Sequence, residues 1–97
     1  MNLRDFELYV VRCAENGKLT ENEHIMAGSR GLAESAEVLL DYLDANTDYF
    51  FSENSHSYDK QALIESLGDV LFNFVYLCEI LGIRIDRVME SAARRRE

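Results

Sequence analysis

Apolar residues recur along this chain at helical spacing, and no stretch alternates with the period of a strand. The first periodic segment covers about 3–16, with Leu3, Phe6, Tyr9, Val10 and Cys13 on one stripe and Gly17 just past its end. A second opens at Thr20. Thr20-Glu21-Asn22-Glu23 has the form of a capping box, in which hydroxyl and carboxylate each satisfy the other residue's backbone N–H. This segment runs to about Ala45. Gly28 and Gly31 either weaken it or admit another helix at close range. A connection over 46–57 follows, carrying the aromatics Tyr49, Phe50 and Phe51, which are expected to pack. A third helix is expected over about 58–81, with Gly82 as its terminating glycine. A fourth is expected over about 86–96, with Asp86 near its start and Arg94, Arg95 and Arg96 at its end, charges that suit the helix dipole. The absence of proline is compatible with long helices. The expected fold class is all-α, a bundle of about four helices in a single domain over residues 1–97.

The second and third helices differ in kind. On the second, Glu34, Glu37, Asp41 and Asp44 fall within an arc of about 80°, shared with Arg30. Ile25, Leu32, Ala36, Leu39 and Leu43 lie nearly opposite. Taken alone this is an amphipathic helix with an acidic solvent face. The third is apolar on both sides: Leu63, Leu67, Val70, Phe74, Leu77 and Leu81 on one, Phe72, Val75, Tyr76 and Ile80 on the other. Such a helix is central in its fold or clamped in an oligomer. Yet Glu65, Asp69 and Asn73 follow one another at four-residue spacing on its second side. Acids in such surroundings need a hydrogen bond, an ion pair, with Lys60 at hand, or a metal.

Length and charge narrow the reading. At 97 residues a single core is marginal, and oligomerisation is a common remedy. The net charge of −8 argues against binding to a nucleic-acid polymer, which calls for a basic face. It leaves a nucleotide substrate open, because a divalent cation can bridge carboxylates and phosphates. No run approaches a transmembrane span, and MNLRDFELYV lacks the apolar stretch of a signal peptide, so the expectation is a cytoplasmic protein without a membrane partner. Cys13 and Cys78 sit within apolar helical patterns and read as small hydrophobes.

Four carboxylates from two helices, Glu34 and Glu37 with Glu65 and Asp69, would make an all-oxygen site. Hard ligands of this kind select Mg²⁺, or Mn²⁺, over Zn²⁺. The chemistry expected of such a site is metal-assisted hydrolysis at phosphorus.

At these residues the chain resembles the MazG-like all-α nucleoside triphosphate pyrophosphohydrolases. Glu34 and Glu37 match that family's E-x-x-E motif. Leu67-Gly68-Asp69-Val70-Leu71 matches the core of its second motif, and Leu81-Gly82-Ile83 resembles its turn into the last helix. The likeness spans roughly residues 20–90. It departs in two places. The family's second-motif glutamate, three residues before the aspartate, falls at Ser66, with Glu65 one position earlier. Ser91 and Arg94 stand where the family often has asparagine and lysine.

The resemblance implies a helical bundle completed as a homodimer or homotetramer. It implies hydrolysis of a nucleoside triphosphate to the monophosphate and pyrophosphate, in a role such as cleansing the nucleotide pool. Glu34, Glu37 and Asp69 would hold Mg²⁺, with either Glu65 or water completing the shell. Asn73 would face the base or sugar, and Arg94 to Arg96 would reach phosphates. A non-catalytic nucleotide-binding or interaction module of the same fold is the alternative reading, and a phosphoribosyl-ATP substrate a less favoured one. Glu21/His24 and Glu53/His56 have the Glu-x-x-His spacing of di-iron bundles, but in the wrong order, and are read as coincidence. His24 is expected to be an exposed first-turn residue.

Overall fold

A computed structural model describes residues 1–46 and 60–97. Among these residues the chain is all-helical: α1 is Leu3–Asn16, α2 is Glu21–Ala45, α3 is Lys60–Leu81 and α4 is Ile85–Arg94. Expected aromatic packing at Tyr49, Phe50 and Phe51 lies outside the described residues, as do residues 58 and 59 at the expected start of α3.

The ends follow from local chemistry. Asn2 caps α1, its side chain accepting from the Asp5 N–H at 2.9 Å. The Thr20 capping box forms in full, with Glu23 N–H to Thr20 Oγ1 and Thr20 N–H to Glu23 Oε1 both at 3.2 Å. Hydrogen bonding to Thr20 holds the Glu23 carboxyl below its usual range. At the end of α3, Gly82 takes a φ of 68°, the left-handed conformation a side chain disfavours. Its N–H reaches Glu79 O at 3.2 Å, and Ile83 N–H reaches Cys78 O at 2.9 Å, the pair of bonds of a Schellman motif. The chain turns there by 110° into α4. α4 starts at Ile85 and stops at Arg94, one residue before the expected start and two before the expected end: Arg95 N–H makes the last helical bond, to Ser91 O, and Arg96 N–H tightens to a three-residue turn on Ala93 O.

α2 and α3 form an antiparallel pair in close contact. A Cβ on Gly28 would lie 2.9 Å from Tyr76 Cδ1, and one on Gly31 would overlap Asn73 Oδ1 and sit 2.8 Å from Asn73 Cγ. The two glycines therefore serve close approach. The side of α2 facing α3 is the line His24, Gly28, Gly31, rather than the apolar stripe opposite the acids. The other side of α3 meets α1 and the start of α4: Val10, Val75, Cys78 and Ile85 make the buried core, flanked by Phe6, Phe72, Phe74, Tyr76 and Val88. Phe6 and Tyr9 stand edge-on to Phe72, with ring centroids 6.5 and 6.3 Å apart.

α1 covers only the C-terminal half of α3. The apolar stripe carrying Val75 and Cys78 continues toward the N-terminus as Leu71, Leu67 and Ile64, and these are 46, 53 and 56% exposed. Among the described residues this stripe is left open over the N-terminal half of α3. Among the described residues, no single helix is long and apolar enough to cross a membrane.

Candidate functional site

The contacts of Gly28 with Tyr76 and of Gly31 with Asn73 fix the α2–α3 register. Three residues forward on α2 match three residues back on α3. One turn further, Ser35 comes level with Asp69, so Glu34 and Asp69 share an axial level. The two glycines thereby set the levels of Glu34 and Asp69 along the helix pair.

Direction around each helix separates the acids. At about 100° per residue, Glu34 lies about 90° from the α2 line that faces α3, and Glu37 about 150° away. On α3, Asp69 is one turn before Asn73 and close to the line facing α2. Ser66, seven residues before Asn73, returns to nearly the same angle, whereas Glu65 is displaced by about 80°. Exposure agrees: Ser66 is half-buried, while Glu34, Glu37, Glu65 and Asp69 are all exposed. Among the described residues, no three of His, Cys, Asp and Glu come together as a metal-holding group. The donor types suit Mg²⁺, but the described residues of one chain do not converge them.

Among the described residues, the surroundings expected to make Glu65 and Asp69 costly are only partly formed: Leu63 and Val70 are half-buried, whereas Ile64, Leu67 and Leu71 are exposed. Glu65 lies 3.5 Å from Gln61 Nε2, a long contact from one turn earlier. Asn73 turns its amide back on its own helix. Nδ2 donates to Asp69 O at 2.8 Å, and Oδ1 faces the gap at Gly31. Arg94 is exposed and pairs with Glu90 at 3.6 Å on α4.

His24 departs from expectation. It is 9% exposed, not a surface residue, and its Nδ1 meets the Tyr76 hydroxyl, 52 residues away in sequence. Burial raises the Tyr76 hydroxyl above its usual range, so it stays neutral beside the imidazole. His24 therefore ties the start of α2 to α3. The second Glu-x-x-His pair, Glu53/His56, lies outside the described residues. Cys78 is buried, its thiol pushed up by burial first and by Glu79 next, so it behaves as a small hydrophobe.

Glu79 is the residue that sequence reasoning passes over. It stands within the apolar run VYLCEIL, half-buried, and its carboxyl is raised above the ordinary range by burial first and then by Glu7 of α1. A lone acid inside an apolar helical run is the signal that could have found it. No protein-family model, curated protein or solved structure matches this chain.

Proposed function

We propose that the protein is a Mg²⁺-dependent nucleoside triphosphate pyrophosphohydrolase with a MazG-like bundle. The observation that carries this reading is the placement of the two motif acids Glu34 and Asp69 at one height on two closely packed antiparallel helices. The ligands would be Glu34, Glu37 and Asp69 with Glu65, all of them hard oxygen donors. Bound there, the cation would neutralise phosphate charge and activate water. Asn73, one turn from Asp69, would reach a base or sugar only by turning its amide out of the contact with Gly31.

The same reading includes a second copy of the chain. Ile64, Leu67 and Leu71 continue the core stripe along α3 and are 56, 53 and 46% exposed. Completing the burial of a Leu or Ile that is already half covered contributes about 1 kcal/mol. Three such residues on each of two subunits give roughly 6 kcal/mol, enough to offset the lower part of the range for association costs. A dimer, or a dimer of dimers, would also bring further carboxylates and the α4 arginines near each α2–α3 pair.

One observation favours a second reading, a nucleotide-binding or interaction module without turnover. Ser66, rather than Glu65, occupies the line facing α2. The two readings part on a single experiment. The protein is incubated with a panel of ordinary and modified nucleoside triphosphates and Mg²⁺, and the products are identified. The enzyme reading requires monophosphate and pyrophosphate. Nucleotide-dependent thermal stabilisation without any product supports the module instead.

A further inference from the structure

Gly68 is a helix-interior glycine that its own chain leaves unexplained. A glycine inside a helix costs about 1 kcal/mol against alanine. Gly28 and Gly31 admit the side chains of Tyr76 and Asn73, and Gly82 takes a left-handed turn. Gly68 has no positive φ and is exposed, and among the described residues nothing lies within 4 Å of where its Cβ would stand. Its place on α3 supplies a reason. Ile64, Gly68, Leu71, Val75 and Cys78 follow one another at steps of four, three, four and three, the spacing of a coiled-coil seam. Val75 and Cys78 fill the C-terminal half of that seam by packing in the core. Its N-terminal half exposes Ile64 and Leu71, with Leu67 beside Gly68. At about 100° per residue, Glu65 and Asp69 lie about 110° and 150° from the middle of this patch, so neither carboxylate stands in it.

We propose that α3 crosses α3 of a second copy in antiparallel fashion, with the two-fold axis passing between Leu67 and Gly68. The inference rests on the second copy in the reading above and not on its chemistry. A two-fold contact must be self-complementary, and this patch is. Positions 64, 67, 68 and 71 are spaced three, one and three, the same in both directions. Turned end for end, the pattern sets Ile64 level with the partner's Leu71 and Leu67 level with the partner's Gly68. The central layer then holds two leucines on one side and two glycines on the other, and the backbones close in where the glycines meet. A parallel pair is disfavoured because the filled half of each seam, with α1 and the start of α4 upon it, would stand beside its own copy. The antiparallel crossing matches open half to open half and leaves Asp69 on the side toward α2.

Disulfide trapping reads the register. In a Cys13→Ser background, with Cys78 buried, Ile64→Cys, Leu67→Cys and Leu71→Cys are made singly and oxidised without nucleotide or Mg²⁺. The crossing puts Ile64 roughly 10 Å along the axis from the partner's Ile64, beyond the limit of about 7 Å between Cα atoms that a disulfide can span. Leu67→Cys should therefore trap a dimer by itself. Ile64→Cys and Leu71→Cys should each run as monomer in denaturing electrophoresis, and a mixture of the two, allowed to exchange subunits, should give the dimer. Trapping by Ile64→Cys or Leu71→Cys alone, or in no sample at all, would overturn the proposal. Gly68→Ala gives a second readout by sedimentation. As an isolated chain it gains from helix propensity. Its dimer Kd should nonetheless rise by about tenfold or more, equivalent to about 1.4 kcal/mol, because two added methyl groups crowd the crossing. An unchanged Kd would place the crossing away from Gly68 and overturn the proposal. A protein that turns over no nucleotide leaves the trapping result standing, and failure to trap leaves the product assay unaffected.

Discussion

Adding one methyl group at Gly31 probes the α2–α3 contact on which the site depends. In Gly31→Ala the new methyl would overlap Asn73 Oδ1 and lie 2.8 Å from Asn73 Cγ, well inside the separation of about 3.5–4.0 Å at which carbon atoms rest. Either the helices part or the Asn73 amide swings away. Overpacking of this kind costs about 1–3 kcal/mol. A swing also forfeits the bond from Asn73 Nδ2 to Asp69 O, about 0.5–1.5 kcal/mol. Alanine returns about 1 kcal/mol through its better helix propensity. The net loss is about 1–3 kcal/mol, a fall in Tm of about 5–20 °C for a domain of this size. Gly68→Ala is the matched control, because a Cβ there meets nothing within 4 Å. It should gain about 1 kcal/mol from propensity alone. Urea unfolding of both variants, at several protein concentrations, gives the comparison. A Gly31→Ala variant as stable as Gly68→Ala would show that α2 and α3 do not meet at this register, and the shared level of Glu34 and Asp69 would go with it.

Other consequences are open to test. Tyr76→Phe removes the hydroxyl that satisfies the buried His24 Nδ1 and should cost about 1–3 kcal/mol in chemical denaturation; an unchanged midpoint would mean that His24 finds water instead. Leu67→Glu places a charge in the uncovered stripe of α3. It should convert a concentration-dependent dimer to monomer by sedimentation while leaving helical content intact, and unaltered association would place the interface elsewhere. Thermal scans of the wild type should show stability falling as pH rises through the raised range of Glu79, and this slope should be lost in Glu79→Gln.

Local signals in the sequence are legible because their causes are local. The capping box at Thr20, the helix ending at Asn16 and the glycine at 82 each follow from contacts within a few residues. Features that depend on distant partners are harder to read. His24 resembles a surface residue in the sequence because Tyr76, which buries it, is on another helix. Gly28 and Gly31 leave two readings open, and only the facing side chains of α3 decide between them. The all-round apolar character of α3 implies enclosure for Glu65 and Asp69. Hydrophobicity, however, does not say whether the covering element belongs to the same chain, and on this half of α3 Ile64, Leu67 and Leu71 remain open. The positions of the candidate ligands along their helices are legible. Their directions are not, because the α2 face that packs is the line of His24, Gly28 and Gly31 rather than the apolar stripe.

Whether the two acidic pairs serve one hydrolytic site is decided most directly by product analysis with nucleoside triphosphates and Mg²⁺, wild type beside Glu37→Gln. The expected result is monophosphate and pyrophosphate from the wild type, dependent on Mg²⁺, and loss of turnover by at least roughly a hundredfold in the variant, about 3 kcal/mol of barrier. Release of single phosphates, or a Glu37→Gln variant as active as the wild type, would contradict a shared site.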